Sequence, residues 1–380
     1  MAGLYIHIPF CKKACHYCNF HFSTDRRLEN DFVTALLKEA EIRQPYLSGQ
    51  LVNTVYLGGG TPSLLGPDRL FTILSRLGSL YSMAPQTEIT LEANPDDCSL
   101  ADLQAWKEAG INRLSLGIQS FLDEDLKWMN RAHSARQALQ SLEWATTLFA
   151  DLSIDLIYGT PTLSDKQWMQ NLDTFLQFRI PHLSCYALTV EEKTALAHFI
   201  ATQKVNNIVQ EDQARQFETG VKKLLAAGYE HYEISNFALP GHRSRHNSSY
   251  WSGESYLGLG PSAHSFNGKS RQWNIANTPL YIQHIQQEQI PAEIEQLSAT
   301  QQLNEYIMTA LRTQEGLDLE KLAARFGEQE KKDLLERALP YFQQKQLENT
   351  VAGFRLSAAG KLFADGIAAD LFSDEPQPSH

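Results

Sequence analysis

The sequence has no long apolar run, no excess of basic charge and only five cysteines in 380 residues. Without about 18 consecutive apolar residues, a membrane-spanning helix is excluded, and any membrane association would be peripheral. No basic stretch followed by an apolar one opens the chain, so we expect no secretory signal and predict a cytoplasmic protein. The formal charge of −11 disfavours general nucleic-acid binding and electrostatic docking on an anionic membrane, because both need a basic surface.

Three of the five cysteines fall close together, at Cys11, Cys15 and Cys18. An odd, clustered set is a poor disulfide framework and favours a metal or redox site in a reducing compartment. Three thiolates on one short loop can bind an iron–sulfur cluster and leave one iron open. The alternative from spacing alone is a structural zinc site, with His16 or His21 as the fourth ligand.

The first 240 residues alternate short apolar strands with segments of helical periodicity. Six such units predict a parallel sheet, either doubly wound or closed into a partial barrel, with ligands at the carboxyl ends of its strands. Residues 241–300 have few periodic runs, and we expect an irregular extension. Residues 301–372 predict helices and a hairpin in a winged-helix-like layout, whose acidic balance opposes DNA binding, and residues 373–380 predict a disordered tail.

Glycines and carboxylates follow the predicted strands at the ends where a ligand is expected. Gly59 and Gly60 follow the second strand, where they allow a ligand to approach the backbone or simply form a tight turn. Glu92 ends the third strand and can contact a ligand or cap a helix. Asp155 lies within an apolar strand, where an unpaired carboxylate is costly to bury, so an internal Asp–Arg pair is the alternative to a ligand contact.

A second motif, His-Asn-x-x-Tyr-Trp, occupies residues 246–251 in the segment expected to be irregular. Histidine is a common axial ligand of heme iron, and two aromatic rings with an amide can orient a porphyrin. By itself an isolated histidine is more often an ordinary structural residue. The candidate heme-binding residues are His246, Asn247, Tyr250 and Trp251, and the rival iron ligands are His231, His242 and His264.

The segment from Tyr5 to Cys18 resembles the radical S-adenosylmethionine (SAM) superfamily. More narrowly, it is similar to the branch that holds oxygen-independent coproporphyrinogen III oxidase (HemN) and the HemW-like heme chaperones. The resemblance implies an α/β fold, a partial (β/α)6 TIM-like barrel with a smaller, mostly helical C-terminal domain. It also implies that Cys11, Cys15 and Cys18 hold a 4Fe–4S cluster whose open iron is chelated by SAM.

The same resemblance implies a set of SAM-binding residues. They are Tyr5, Tyr17, Gly59, Gly60, Thr61, Glu92, Gln119, Arg131, Asp155 and Ala187. Five of these, namely Tyr17, Gln119, Arg131, Asp155 and Ala187, match positions that contact a second SAM molecule in the oxidase. Whether a second SAM binds here stays open.

Two departures from the oxidase resemble the chaperone branch. Phe20 stands where the oxidase carries a further cysteine, and the HNxxYW motif is similar to the signature of HemW-like proteins, whose histidine is implicated in heme binding. The resemblance therefore implies a protein that binds heme through His246 and passes it to an acceptor hemoprotein, such as a respiratory one, without coproporphyrinogen oxidase activity. The alternatives are a radical SAM enzyme that acts on a porphyrinogen and a zinc-stabilised binding module. The choice between a monomer and a homodimer stays open.

Overall fold

The computed structural model describes residues 1–374, and its main element is a twelve-stranded sheet. Six parallel strands lie side by side in chain order at its centre, and helices connect them. The strands are β1 (Ala2–Ile8), β2 (Val52–Gly59), β3 (Met83–Ala93), β4 (Arg113–Gln119), β5 (Asp151–Tyr158) and β6 (His182–Ala187). The helices are α1 (Glu29–Ile42), α2 (Pro67–Leu80), α3 (Leu100–Glu108), α4 (Asp123–Trp128), α5 (Ala135–Leu148), α6 (Asp165–Gln177), α7 (Ala195–Ala201) and α8 (Gln210–Ala226). An order without reversal is that of a partial barrel rather than a doubly wound sheet, which settles the two alternatives.

Local sequence signals explain where these elements begin and which face they bury. Ser99, Ser134 and Ser164 each cap a helix, in capping boxes that open α3, α5 and α6. Along β1, alternate residues from Leu4 to Ile8 are fully buried in the main apolar core. Tyr5, on the opposite face, makes polar contacts instead. The inner face of the sheet is therefore the polar one, which positions the candidate site.

Residues 241–300 extend this sheet, so the expectation of an irregular segment is wrong. The elements are α9 (Arg245–Ser252), β9 (Ser255–Leu259), β10 (His264–Phe266), β11 (Ser270–Asn274), α10 (Thr278–Gln286) and β12 (Ala292–Gln296). β9 pairs parallel with β1, and three antiparallel strands continue the sheet outward from it. At the opposite edge, β7 (Glu230–Glu233) and β8 (Asn236–Ala238) complete the sheet. The strands of this segment have five residues or fewer, too few for a clear alternating pattern.

A buried polar network joins α1 to this extension. Glu39 is fully buried, and its carboxylate accepts hydrogen bonds from Asn274 Nδ2 at 2.7 Å and from the Tyr281 hydroxyl at 2.6 Å. The guanidinium of Arg43 lies 3.6 Å from the same carboxylate. Because a buried carboxyl group is costly unless it is hydrogen-bonded, these contacts tie the extension to the barrel.

The C-terminal part has its own apolar core, formed by residues between Leu303 and Leu371. It contains α11 (Ala299–Arg312), β13 (Leu317–Asp318), α12 (Leu319–Phe326), α13 (Glu328–Gln343), β14 (Leu347–Asn349), β15 (Gly353–Leu356) and α14 (Ala364–Asp370). Short 3-10 helices cover Gln44–Leu47, Pro62–Leu65, Pro95–Asp97 and Gly360–Phe363. The predicted hairpin is present, and β13 adds a third strand to it.

The predicted disordered tail begins in a hydrogen-bonded position. The backbone N–H of Ser373 donates to Asn304 Oδ1 at 2.8 Å, and Asn304 Nδ2 donates to the Ser373 carbonyl at 2.9 Å. The expectation of disorder is therefore wrong for Ser373, while residues 375–380 of the predicted tail lie outside the described residues. Between residues 1 and 374, no helix is both long enough and apolar enough to cross a membrane.

Candidate cofactor site and a second cavity

The three clustered cysteines lie on the loop that follows β1, where they border one cavity of about 500 Å³. The loop is folded back by hydrogen bonds from the Cys11 N–H to the Ser23 carbonyl at 3.0 Å and from the Cys18 N–H to the Cys15 carbonyl at 3.3 Å. All three thiols are free and partly exposed, whereas Cys98 and Cys185 are buried elsewhere. The loop therefore directs three thiols to one shared space.

This donor set fits an iron–sulfur cluster better than a single zinc ion. The proposed fourth zinc ligands are engaged elsewhere: His16 Nδ1 bonds to the Trp128 carbonyl at 2.9 Å, and His21 Nε2 bonds to Thr278 Oγ1 at 3.0 Å. A cluster with one open iron needs only the three thiolates.

Two polar side chains contact the thiols directly. Arg131 Nη1 donates to Cys15 Sγ at 3.3 Å, and Thr61 Oγ1 donates to Cys11 Sγ at 3.6 Å. A second guanidinium nitrogen of Arg131 donates to the Gly117 carbonyl at 2.8 Å, which fixes the group in place. A half-buried cation beside thiolates stabilises their negative charge, so this contact suits an anionic cluster.

Gly59 and Gly60 line the same cavity, and the fold requires both to be glycine. Gly59 has φ +108°, and a Cβ there would lie 2.6 Å from the His7 ring. A Cβ on Gly60 would lie 2.7 Å from the Phe10 carbonyl oxygen. The two interpretations of these glycines therefore hold together. They form a tight turn, and the turn brings the backbone to the cavity wall, where a ligand can approach it.

Two half-buried carboxyl groups face this cavity from β3 and β5. Glu92 accepts hydrogen bonds from the Tyr56 hydroxyl at 2.7 Å and from the Gly59 N–H at 3.2 Å. Burial raises the pKa of Glu92 to about 7 and the pKa of Asp155 to about 6. Asp155 accepts from Ser115 Oγ at 3.4 Å, and no arginine in the described part of the chain lies within ion-pair distance of it. The alternative of an internal Asp–Arg ion pair is therefore not found, although the charges of Arg113 and Arg131 lower the pKa of Asp155 from a greater distance.

The cavity brings together nine of the ten residues that the sequence matched to SAM binding. Tyr5 is the exception, because its hydroxyl lies 3.2 Å from His7 Nδ1 and its ring stacks on Tyr56 and His246 inside the barrel. The nine residues at the cavity are Tyr17, Gly59, Gly60, Thr61, Glu92, Gln119, Arg131, Asp155 and Ala187. Sequence reasoning missed Tyr56, whose hydroxyl donates to Glu92. Side chains alternate between the two faces of a strand, so Tyr56 lies on the same face of β2 as Thr54 and Gly58, and this alternation could have indicated it.

The HNxxYW motif lies on the helix α9, so the expectation that it falls in an irregular segment is wrong. The backbone N–H groups of Arg245 and His246 both donate to Glu88 at 3.0 Å, which anchors the start of the helix to β3. The His246 side chain is 1% exposed. Its Nδ1 is hydrogen-bonded to Thr54 Oγ1 at 2.8 Å and its Nε2 to the Tyr250 hydroxyl at 2.8 Å. Burial lowers the pKa of His246 to about 3, so the ring is neutral.

Neither ring nitrogen of His246 is available to an iron in this conformation, since both are hydrogen-bonded inside the fold. The role of His246 as an iron ligand stays a prediction. The rival histidines are also engaged or turned elsewhere: His231 Nε2 bonds to the Ile234 carbonyl, His242 Nδ1 bonds to Asp151, and the His264 ring stacks on Trp273.

A second cavity of about 820 Å³ lies between α9, the β9–β11 strands and the C-terminal helices α11 and α12. We call it the interdomain cavity. Tyr250 and Trp251 of the motif line it, whereas His246 and Asn247 do not. The guanidinium of Arg312 lies 5.1 Å from the centre of the Trp251 ring and donates to Glu233 Oε1 at 3.0 Å, which joins the C-terminal part to the barrel edge. The motif therefore belongs to the wall of a cavity that is separate from the cysteine site.

The fold and the cysteine site define the radical SAM class, and the family comparison agrees. The radical SAM superfamily matches residues 5–175, and the HemN C-terminal domain matches residues 297–363. The solved structure of coproporphyrinogen III oxidase (HemN) from Escherichia coli aligns with a TM-score of 0.84 over 98% of this chain and 90% of that chain, at 22% identity. This likeness confirms the predicted fold class.

Relatives that align over nearly the whole chain identify the family within this superfamily. The heme chaperone HemW of Mycobacterium tuberculosis (strain H37Rv) is 35% identical over 97% of this chain and 94% of its own length. The heme chaperone HemW of Bacillus subtilis is 32% identical over 97% of this chain and 98% of its own. The chain belongs to the HemW family of the radical SAM superfamily.

Proposed function

We propose that this protein is a heme chaperone, which binds heme and passes it to acceptor hemoproteins, and which carries a 4Fe–4S cluster and SAM in a separate cavity. The observation that carries the proposal is the position of Tyr250 and Trp251. Both belong to the motif that departs from the oxidase, and both line the interdomain cavity. The relatives from Mycobacterium tuberculosis and Bacillus subtilis, which are named heme chaperones, support the same function.

The interdomain cavity has a suitable size and lining for a porphyrin. Its volume of about 820 Å³ lies within the usual range for sites that bury a cofactor. Aromatic side chains of the motif, of β9 and of α11 line it. One wall belongs to the C-terminal part, so the cavity lies at the junction of two parts of the fold. A carrier needs a route by which its ligand can leave, because it must release that ligand to an acceptor.

In the cysteine cavity, Cys11, Cys15 and Cys18 would hold the cluster, with Arg131 and Thr61 bonded to the thiols. When bound, the cluster supplies an open iron for the amino and carboxylate groups of SAM and a source of one electron. Glu92 offers a carboxylate to the cationic ligand, and the backbone at Gly59 lets the ligand approach. In the described part of the chain no residue lines both cavities, so the cluster and SAM would regulate heme handling from a distance rather than react with heme.

Three finer assignments belong to the same proposal. The acceptor is a hemoprotein whose identity the chain does not specify. We place the protein in the cytoplasm, since a cluster with an open iron needs a reducing compartment. A second SAM molecule is not required by this function, although Gln119, Asp155 and Ala187 line the same cavity as Glu92.

Heme titration of two tryptophan variants tests whether the motif side chains at the interdomain cavity contact heme. Trp251→Ala removes the motif ring from the cavity wall, and we expect the dissociation constant for heme to rise at least tenfold. Trp273→Ala is the matched control, because Trp273 lies on β11 and lines neither cavity. Equal heme affinity in both variants and the wild type would contradict the assignment.

A product assay tests the enzymatic alternative. We expect no decarboxylated porphyrinogen when the cluster-loaded protein is incubated anaerobically with coproporphyrinogen III, SAM and a reductant. Phe20, where the oxidase carries a cysteine, lines the cysteine cavity and supports this expectation. Accumulation of the decarboxylated product at a catalytic rate would restore the oxidase alternative.

A further inference from the structure

The interdomain cavity presents aromatic faces on several sides. Tyr250 and Tyr256 meet edge to face with ring centres 4.7 Å apart, and the Phe266 ring lies 6.2 Å from Tyr256. Trp251 and Tyr306 also line the cavity. Flat, offset aromatic surfaces of this kind pack well against a planar ligand.

Two arginines on the wall have free hydrogen-bonding capacity. Arg325 Nη2 donates to Gln302 Oε1 at 3.0 Å, and in residues 1–374 no carboxylate lies within ion-pair distance of it. Arg271 is paired with Glu305, but within residues 1–374 its Nε is buried without a hydrogen-bond partner, as is Trp251 Nε1. The wall also carries three carboxylates, and each is already paired with a cation: Glu305 with Arg271, Glu315 with Arg243 and Asp318 with Lys321. The donors that these pairs leave over can therefore take an anionic ligand.

The same wall offers little to an iron. No histidine or cysteine of the described chain lines it. The Tyr250 hydroxyl is bonded to His246, and the Tyr306 hydroxyl donates to the Asp318 carbonyl at 3.0 Å. Met308 contributes one thioether, a soft ligand that serves as an axial ligand in cytochromes beside a histidine.

We propose that the interdomain cavity binds a dicarboxylic tetrapyrrole by its ring faces and its carboxylates, with Arg325 and Arg271 as the carboxylate anchors. The iron of heme contributes little to the affinity. This inference rests on the proposed function, since it states how that function's ligand is recognised. Weak iron ligation suits a carrier, because the acceptor's own axial ligand can then draw the heme away.

Three ligands separate ring, carboxylate and metal recognition in one fluorescence or absorption titration. We expect metal-free protoporphyrin IX to bind within about threefold of heme, and protoporphyrin IX dimethyl ester to bind at least tenfold more weakly than the free acid. If heme binds but protoporphyrin does not, iron ligation dominates and this inference is wrong. If none of the three binds, the proposed function itself fails, so the two failures are distinguishable.

Arginine variants locate the anchors. Arg325→Gln and Arg271→Gln should each weaken binding of the free-acid porphyrin at least fivefold and leave binding of the diester almost unchanged. The dissociation constants of the two ligands should therefore become similar in each variant. Arg76→Gln is the matched control, because Arg76 is an ion-paired arginine on α2 that borders neither cavity. Met308→Leu should leave heme affinity within twofold. A tenfold loss of heme affinity in Met308→Leu would overturn the assignment. So would an unchanged preference for the free acid over the diester in both arginine variants.

Discussion

His246 Nε2 and the Tyr250 hydroxyl lie 2.8 Å apart, so the buried motif histidine holds a tyrosine at the wall of the interdomain cavity. The same imidazole stacks on Tyr56 with ring centres 4.9 Å apart. The Tyr56 hydroxyl in turn donates to Glu92 at 2.7 Å, at the wall of the cysteine cavity. One continuous chain of contacts therefore joins the two cavities through His246.

Substitution of His246 should act through position rather than through iron ligation. His246→Gln retains hydrogen-bonding atoms for Tyr250, so we expect heme affinity within about threefold of the wild type and an unchanged absorption spectrum of bound heme. His246→Ala leaves the Tyr250 hydroxyl without its partner and opens a space beside Tyr56, and should weaken heme about tenfold. Loss of the wild-type spectrum in both variants would instead identify His246 as the iron ligand after a rearrangement.

The chain of contacts predicts coupling between SAM and heme. Because coupling between two ligands is reciprocal, SAM should change the heme dissociation constant by the same factor as heme changes that of SAM, roughly fivefold or more. Tyr56→Phe removes the hydrogen bond to Glu92 but keeps the ring, and we expect the factor to fall towards one. Tyr46→Phe serves as the control, since the Tyr46 hydroxyl has no hydrogen-bond partner among residues 1–374. Undiminished coupling in Tyr56→Phe would show that this route is not used.

Replacement of Cys11, Cys15 and Cys18 by serine should abolish the cluster and spare heme binding. Iron and sulfide analysis of the reconstituted wild type should give about four of each per chain, and the triple variant should hold almost none. When SAM is absent from both samples, heme affinity should stay within about threefold, because no residue among 1–374 lines both cavities. Serine at the buried Cys98 is the control. One zinc per chain in the wild type would support the zinc alternative.

Glu92 predicts a pH-dependent difference in stability. Its pKa is raised to about 7 in the folded chain, mainly by burial, so the native state binds a proton that the unfolded state releases near its ordinary pKa of 4.5. Ionised Glu92 therefore destabilises the fold at high pH, and this penalty fades as the pH falls from 7 towards 4.5.

Glu92→Gln carries no such penalty, so its stability relative to the wild type should rise between pH 5 and pH 8. The expected gain is on the order of 3 kcal/mol, because a pKa displaced by one pH unit corresponds to about 1.4 kcal/mol of unfolding free energy. Urea unfolding of both proteins at matched cluster content measures it, with the exposed Glu124→Gln as control. If the difference in unfolding free energy between Glu92→Gln and the wild type does not change with pH, the raised pKa of Glu92 is contradicted.

The parts of the site that could be predicted depend on local sequence. The spacing of Cys11, Cys15 and Cys18 follows from the needs of a cluster on one loop. Gly59 and Glu92 could be placed at a common cavity, because the ends of parallel strands meet at one edge of the sheet.

The environment of His246 could not be predicted in the same way. Its burial depends on Thr54 and Tyr56 from β2, far away in the chain, and on the anchoring of α9 by Glu88. Similarly, Tyr5 lies on β1, the strand that leads into the cysteine loop. Its side chain nevertheless contacts His7 and Tyr56 and does not line the cysteine cavity. Only tertiary contacts decide such positions, and no periodicity records them.

The most direct test of this account is an anaerobic heme titration of the cluster-loaded protein, followed by addition of an apo-hemoprotein such as apomyoglobin. We predict saturation near one heme per chain and transfer of that heme to the acceptor, with Trp251→Ala impaired in binding. Absence of saturable heme binding in the wild type would contradict the account and favour a radical SAM enzyme with another substrate.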